Sequence, residues 1–193
     1  MTFYNVEDFP FLMKIQRNVD VIINELARAE ETNPMIKGIL NPMDEALDYY
    51  TDYWVKDNGF HLDQLGYDIR NGKYSTLSIF KKDYPNKLFD VNELFPKTTL
   101  LLKDVPGLYY SAFFKMYPKT ELAPHTHNRK HLIFHLLLND LVDGSCELTC
   151  GSESRNVSLK SDSVLFDYSN SHGSVNNASN SRLHFVVDFN PFH

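Results

Sequence analysis

The sequence predicts an α+β fold, with a C-terminal antiparallel β-sandwich or small barrel under an N-terminal helical layer. Three observations carry this expectation. Apolar residues recur at helical spacing near the N-terminus, and short strands separated by turn residues fill the chain from Leu108 onward. Aromatic residues are also abundant, with 14 Phe and 11 Tyr, which suits a β-rich interior. A chain of 193 residues fits one domain and can bury a substantial core. Within it we delimit a packing helix over 9–30, a mixed support region over 40–105 and β-structure over 107–190.

The N-terminal helix rests on Phe9, Leu12, Ile15, Val19, Ile22, Ile23 and Leu26, with Lys14, Arg17, Asn18, Asp20 and Glu25 between them. This is an amphipathic stripe, entered through Asp8 and Pro10 and ended by Thr32-Asn33-Pro34. Its economical role is packing. Further on, Asp44 to Trp54 reads as a short helix with Leu47, Tyr50 and Trp54 on one side, and Tyr74 to Phe80 as a strand. Asn86 to Pro96 reads as a loop before a short helix or strand at Thr99–Leu102. The predicted strands of the β-region are Tyr109–Tyr117, Glu121–His125, His131–Leu138, Cys146–Cys150, Asn156–Leu159, Ser163–Phe166 and Arg182–Asp188.

Composition excludes several classes. The hydrophobic share of 42% and charged share of 23% are those of an ordinary globular protein. A net charge of −6 argues against nucleic acid or an anionic membrane as the principal partner, since both select basic surfaces. No apolar run approaches the roughly 18 residues of a membrane span. The start, Met1 to Asp8, lacks the basic and apolar regions of a signal peptide, so the expected location is the cytoplasm. The sequons Asn156-Val157-Ser158 and Asn177-Ala178-Ser179 matter only in a secreted protein and are discounted. Cys146 and Cys150 share a strand face about 13 Å apart, beyond disulfide reach, and are expected as buried strand residues.

Chemistry concentrates in the C-terminal third, where seven of the eight histidines lie. His125 and His127 sit in Ala123-Pro124-His125-Thr126-His127, His172 follows some way on, and Arg182 comes ten residues later. Imidazole is the commonest neutral metal ligand, and open catalytic iron sites pair two histidines with one carboxylate. His125 and His172 have the separation of such a set, but position 127 holds His where a carboxylate would be expected. On strand alternation, Arg182, His184, Val186 and Asp188 share one face, as do His131, Ile133 and His135. An inward arginine among apolar neighbours is costly unless it meets an anion, best a carboxylate taken bidentately. Two separated histidines with such an arginine can hold a metal and an anionic cosubstrate in one barrel. Spacing alone leaves the bland alternatives open: surface or satisfied core histidines, and Arg182 in an ordinary ion pair with Asp188, Asp167 or Glu147.

The region resembles the aspartyl/asparaginyl β-hydroxylase family. The resemblance runs through Ala112-Phe113-Phe114-Lys115-Met116-Tyr117-Pro118, Pro124-His125-Thr126, His135-Leu136, and Cys146-Glu147-Leu148-Thr149-Cys150-Gly151 with Glu153. It continues through Phe166-Asp167 to His172 and closes with Arg182, Val187-Asp188 and Pro191. Looser similarity reaches Phe9-Pro10 and Phe95-Pro96-Lys97-Thr98 with Leu101-Leu102. It implies a double-stranded β-helix (jelly-roll, cupin-like) core over 107–190. It also implies an Fe(II)- and 2-oxoglutarate-dependent dioxygenase that hydroxylates an amino acid or an Asp/Asn side chain of a peptide or protein. On the same resemblance His125 and His172 would bind iron, Arg182 the distal carboxylate of 2-oxoglutarate, and His135 the same cosubstrate.

The departures are specific. His127 stands where family members carry Asp or Gly, so it is either a third neutral ligand or turned away. Phe114 takes the place of a serine that assists the carboxylate, and Ile133 that of an arginine, with His131 or His184 as substitutes. The Trp and Gly that usually follow the Glu153 position are missing, with Val157 and Lys160 nearby. Two alternatives therefore stand beside the dioxygenase: a three-histidine iron oxygenase independent of 2-oxoglutarate, and a non-catalytic barrel that binds a carboxylate.

Overall fold

A computed structural model describes residues 2–41, 74–83 and 89–191, with the Met35 side chain left aside. The expected helix Asp44–Trp54 and the first residues of the expected 86–96 loop lie outside the described residues. The N-terminal layer holds α1 (Pro10–Arg17), α2 (Val19–Thr32) and α3 (Pro34–Leu40). The single predicted helix over 9–30 is thus two, divided at Asn18. The Asn18 side chain donates to the Lys14 carbonyl at 2.8 Å, while its backbone N–H turns to Ile15. That local bond replaces the i→i−4 bond a continuous helix would make. Pro34 restarts the chain as α3 where Thr32-Asn33-Pro34 predicted the break.

Among the described residues of the support region there are two further short helices. Val91–Leu94 falls inside the stretch expected as loop, and it forms because Asp90 caps it, accepting from Asn92 N and Glu93 N. Pro96–Leu102 settles the Thr99–Leu102 ambiguity as helix.

Among the described residues ten strands make two antiparallel sheets. In chain order they are β1 (Phe3–Tyr4), β2 (Tyr74–Lys81), β3 (Leu108–Met116), β4 (Thr120–His125), β5 (Leu132–Leu137), β6 (Cys146–Cys150), β7 (Glu153–Val157), β8 (Ser163–Asp167), β9 (His172–Asn176) and β10 (Arg182–Phe189). The larger sheet runs β1-β8-β5-β10-β3-β2 and the smaller β4-β9-β6-β7. Apart from the β6–β7 hairpin within the smaller sheet, consecutive strands from β3 to β10 alternate between sheets in the manner of a jelly roll, so the core is a double-stranded β-helix. Three expectations need correction. β1 and β9 were not predicted, and the strand expected at Asn156–Leu159 lies earlier, at Glu153–Val157, on an exposed polar edge that lacks an alternating signal.

Alternation divides β10 cleanly. Phe185, Val187 and Phe189 join the main core beneath α1 and α2, while Val186 faces the second cluster between the sheets with Ile133, Leu148 and Phe166. Arg182, His184 and Asp188 share the face of Val186 by period two. Cys146 and Cys150 are both buried and free on the inner face of β6.

One buried acid locks the helical layer to the barrel's support. Glu25 of α2 accepts from Lys97 N and Thr98 N at 2.9 Å and from Thr98 Oγ1 at 2.8 Å. It caps helix Pro96–Leu102 from a distant segment, because Phe95 at the N-cap supplies no side-chain acceptor. Glu25→Ala is expected to cost about 2–3 kcal/mol, since it leaves buried amides unpaired. Urea denaturation checks this, and Glu25→Gln is expected to recover part of the loss.

Candidate metal centre

The cluster begins with the β4–β9 pairing. β4 ends at His125, β9 begins at His172, and the two residues stand opposite one another. On its other side His172 pairs with Cys150 of β6. The ladder is irregular between Leu122 and His125, which accommodates Pro124, a residue with no N–H to give. Gly173 lets the strands approach: a Cβ there would lie 2.8 Å from the Leu122 carbonyl oxygen and 3.2 Å from Pro124 N.

His127, two residues past β4, completes the group. One ligand nitrogen from each of His125, His127 and His172 lies within 4.8 Å of the others. Ring centroids are 4.4 Å apart for His125–His172, 5.1 Å for His125–His127 and 5.3 Å for His127–His172. Among the described residues the cluster contains no carboxylate.

Two of the rings are oriented as ligands. His125 Nδ1 is 2.9 Å from the Ala123 carbonyl and His172 Nδ1 is 2.8 Å from that of Asn170. A carbonyl only accepts, so Nδ1 carries the proton and the neutral ring presents its Nε2 lone pair. Burial pushes the pKa of His172 down to about 4, against the Asn170 bond and helped by His125. His127 is pushed to about 4 as well, first by burial and then by His125, His172 and Arg129. Neutral imidazoles are what a divalent cation requires. Tyr168, in the turn between β8 and β9, stacks on His127 at 3.9 Å and 8°.

A second polar group lies deeper. Arg182, at the opposite end of the barrel from His172, is 1% exposed. Its Nη1 is 2.7 Å from Cys146 Sγ, its guanidinium lies 5.4 Å from the Phe114 ring centroid, and its Nε has no partner. Among the described residues no carboxylate pairs with it; Asp188, Asp167 and Glu147 all lie elsewhere in the bonding pattern. Next along the same face, His184 Nδ1 is 3.0 Å from His135 Nδ1, and His184 Nε2 is unpaired. Burial and then Arg182 push both histidines well below the ordinary range. The Phe166 ring lies 5.5 Å from both His135 and His172 and so connects the two groups.

His131 does not join the Arg182 group. Its Nδ1 donates to Asp188 Oδ1 at 2.8 Å, at the other end of β10. Burial raises Asp188 to about 6, against the pull of His131. Tyr109 meets His131 edge-on at 5.1 Å, with Arg129 over its ring at 4.3 Å. Of the residues singled out in the sequence, the structure brings His125, His127 and His172 together, sets His135 and His184 beside Arg182, and leaves His131 apart from both groups. The contacts made by Tyr168 and Cys146 carry no signal in the sequence distinct from core packing.

A family model described as aspartyl/asparaginyl beta-hydroxylase matches residues 16–191. No curated protein matches the chain. Similar solved structures include the Cnp3 cupin domain of Schizosaccharomyces pombe, with a TM-score of 0.42 and 11% identity, covering 60% of this chain and 64% of that one. The chain thus spans just under two thirds of that structure's length. The plu4264 protein of Photorhabdus luminescens has a TM-score of 0.41 and 12% identity, covering 62% and 77%. A predicted oxalate decarboxylase from Thermotoga maritima has a TM-score of 0.39 and 12% identity, covering 60% and 79%. Among the described residues no helix is long and apolar enough to cross a membrane.

The buried histidines set the acid response of the metal-free protein. His127, His135, His172 and His184 have folded pKa values below the ordinary 6.5, so below that pH the unfolded chain binds more protons. Their effect is full stability above about pH 6.5 and a progressive loss towards pH 4. Asp188, raised from 3.8 to about 6, acts oppositely and favours the fold as pH falls through that window. One group works against four. The urea midpoint of metal-free protein is expected to fall between pH 6.5 and 4.5; a flat or rising midpoint would contradict these assignments.

Proposed function

We propose that this chain, which belongs to the aspartyl/asparaginyl β-hydroxylase family, is an iron(II)- and 2-oxoglutarate-dependent dioxygenase whose substrate is an amino acid, free or as an Asp or Asn side chain of a peptide. Family membership carries hydroxylase-type oxygenase chemistry. The finer reading rests on one observation: a three-histidine cluster and a buried guanidinium that has no carboxylate partner among the described residues share one barrel.

The donor set fits the groups it would hold. His125, His172 and His127 would hold the metal, the first two already presenting Nε2. When bound, iron(II) with 2-oxoglutarate and oxygen supplies an oxidation that puts one oxygen atom into a substrate C–H bond and the other into succinate, with release of carbon dioxide. Arg182 would take the distal carboxylate, because its unpaired Nε and its Nη atoms form a fork suited to two oxygens. The Phe114 ring, in the place of a serine, holds the guanidinium through its face instead of a hydroxyl.

His135 and His184 would finish the pocket. If His135 Nδ1–H donates to His184 Nδ1, His184 carries its proton on Nε2, and that unpaired donor is available to an anion. Of the two histidines considered for the missing arginine's role, we assign His184, because His131 is engaged by Asp188. Ile133, Leu148, Val164, Phe166 and Val186 line the space between the sheets and keep water from the reacting centre.

The His127 nitrogen within the cluster favours one second reading, a three-histidine oxygenase that does without 2-oxoglutarate. Anaerobic titration of metal-free protein with iron(II) and then 2-oxoglutarate separates the two. The dioxygenase reading expects a visible metal-to-ligand charge-transfer band, with Arg182→Ala weakening 2-oxoglutarate binding by about 10- to 100-fold, the loss of a charge-assisted bond. Iron binding without the band would favour the three-histidine reading. No iron binding would remove the metalloenzyme reading altogether.

A further inference from the structure

We propose that Tyr168 is a positioning residue which, by stacking on His127, makes that histidine the third ligand of the metal centre. The inference rests on the metal-centre reading above. It begins from a difference among the three histidines. His125 and His172 are each oriented by an Nδ1 bond to a carbonyl two residues earlier. Among the described residues the His127 ring makes no hydrogen bond, and it sits on irregular chain between β4 and β5. What fixes its plane is the Tyr168 ring, 3.9 Å away and tilted by 8°.

Tyr168 is itself well anchored. Its N–H donates to the His131 carbonyl at 2.9 Å, tying the end of β8 to the segment that carries His127. Before it, the Asp167 carboxylate accepts from Ser169 N at 2.9 Å and Ser169 Oγ at 2.6 Å, closing the turn that leads into β9. The same turn delivers His172, whose ring lies 4.9 Å from that of Tyr168 at 32°. One aromatic ring therefore lies against two of the three histidines. The contact is part of how this chain replaces a carboxylate by His127: without a carbonyl bond, a flat neighbour is what holds the ring in a ligating orientation. Aromatic stacking contributes about 0.5–1.5 kcal/mol, enough to bias one ring orientation severalfold. Loss of a group that orients a ligand typically weakens metal binding by about 10- to 100-fold.

A role in packing alone would make Leu nearly as good as Phe at this position; a positioning role requires a flat face. Cobalt(II) is the probe, added to metal-free wild-type, Tyr168→Phe, Tyr168→Leu and His127→Ala proteins, with affinity and the visible ligand-field spectrum as readouts. We expect Tyr168→Phe to match wild type. Tyr168→Leu should bind about 10-fold more weakly, with a spectrum shifted to that of His127→Ala. If the leucine variant loses its metal-free circular dichroism, Tyr168→Met carries the same test. A leucine or methionine variant with wild-type affinity and spectrum would overturn the role of Tyr168 and leave the metal centre standing. A His127→Ala spectrum identical to wild type would overturn it too, by removing His127 as ligand. Failure of wild-type protein to bind cobalt(II) at all would instead sink the metal-centre reading and this inference with it.

Discussion

The pairing of β4 with β9 is the constraint on which the site depends. It sets His125 opposite His172 at one end of the smaller sheet, and it is possible because Gly173 lets the Leu122 carbonyl come close and Pro124 sits where the ladder is irregular. The same strand also positions the Arg182 group. Asn176 is buried and donates to the carbonyls of Met116, Tyr117 and Asn180, which stops β9 and turns the chain towards Arg182 at the start of β10. β9 also aligns β6, so that Cys150 lies beside His172 and Cys146 beside Asn176, with Arg182 reaching Cys146. Four residue steps along β9 separate the two ends by about 13 Å. That span suits a short dicarboxylate between a metal and a long arginine side chain.

An interior of this kind is costly in the absence of ligands. A guanidinium 1% exposed with an unpaired Nε, and a fully buried His184 with an unpaired Nε2, each sacrifice solvation that the protein does not replace. Two rings that burial holds neutral, His127 and His172, add to this at the other end. A ligand that satisfied such groups would bind the folded state alone and stabilise it. The Cys146 thiol and the Phe114 ring hold Arg182 in readiness, and they are weaker partners than a carboxylate. Asp188 and His131, by contrast, already satisfy one another at the opposite end of β10.

Much of the site was legible in the sequence where a strand declares itself by alternation. β10 reads plainly, because Leu183, Phe185 and Val187 mark one face and so assign Arg182, His184 and Asp188 to the other. β9 does not. His-Gly-Ser-Val-Asn has little intrinsic strand preference, and it is extended because β4 and β6 pair with both its edges. The break at Asn18 turns on one side-chain bond within an otherwise continuous apolar stripe. The cap that Glu25 gives to a helix 72 residues away joins segments that no local pattern connects. Tyr168 escaped notice for a related reason: an aromatic residue at a strand end reads as core, and only the fold brings it over His127.

The central claim is that the mouth histidines and the deep guanidinium are two ends of one ligand site. A crystal structure grown without oxygen, with manganese(II) and an unreactive 2-oxoglutarate analogue, tests it most directly. The account predicts the metal on His125, His127 and His172, chelated by one end of the analogue. The other carboxylate should lie on Arg182, moved off Cys146. A metal bound elsewhere, or an occupied centre with Arg182 still against the thiol and no anion beside it, would contradict it.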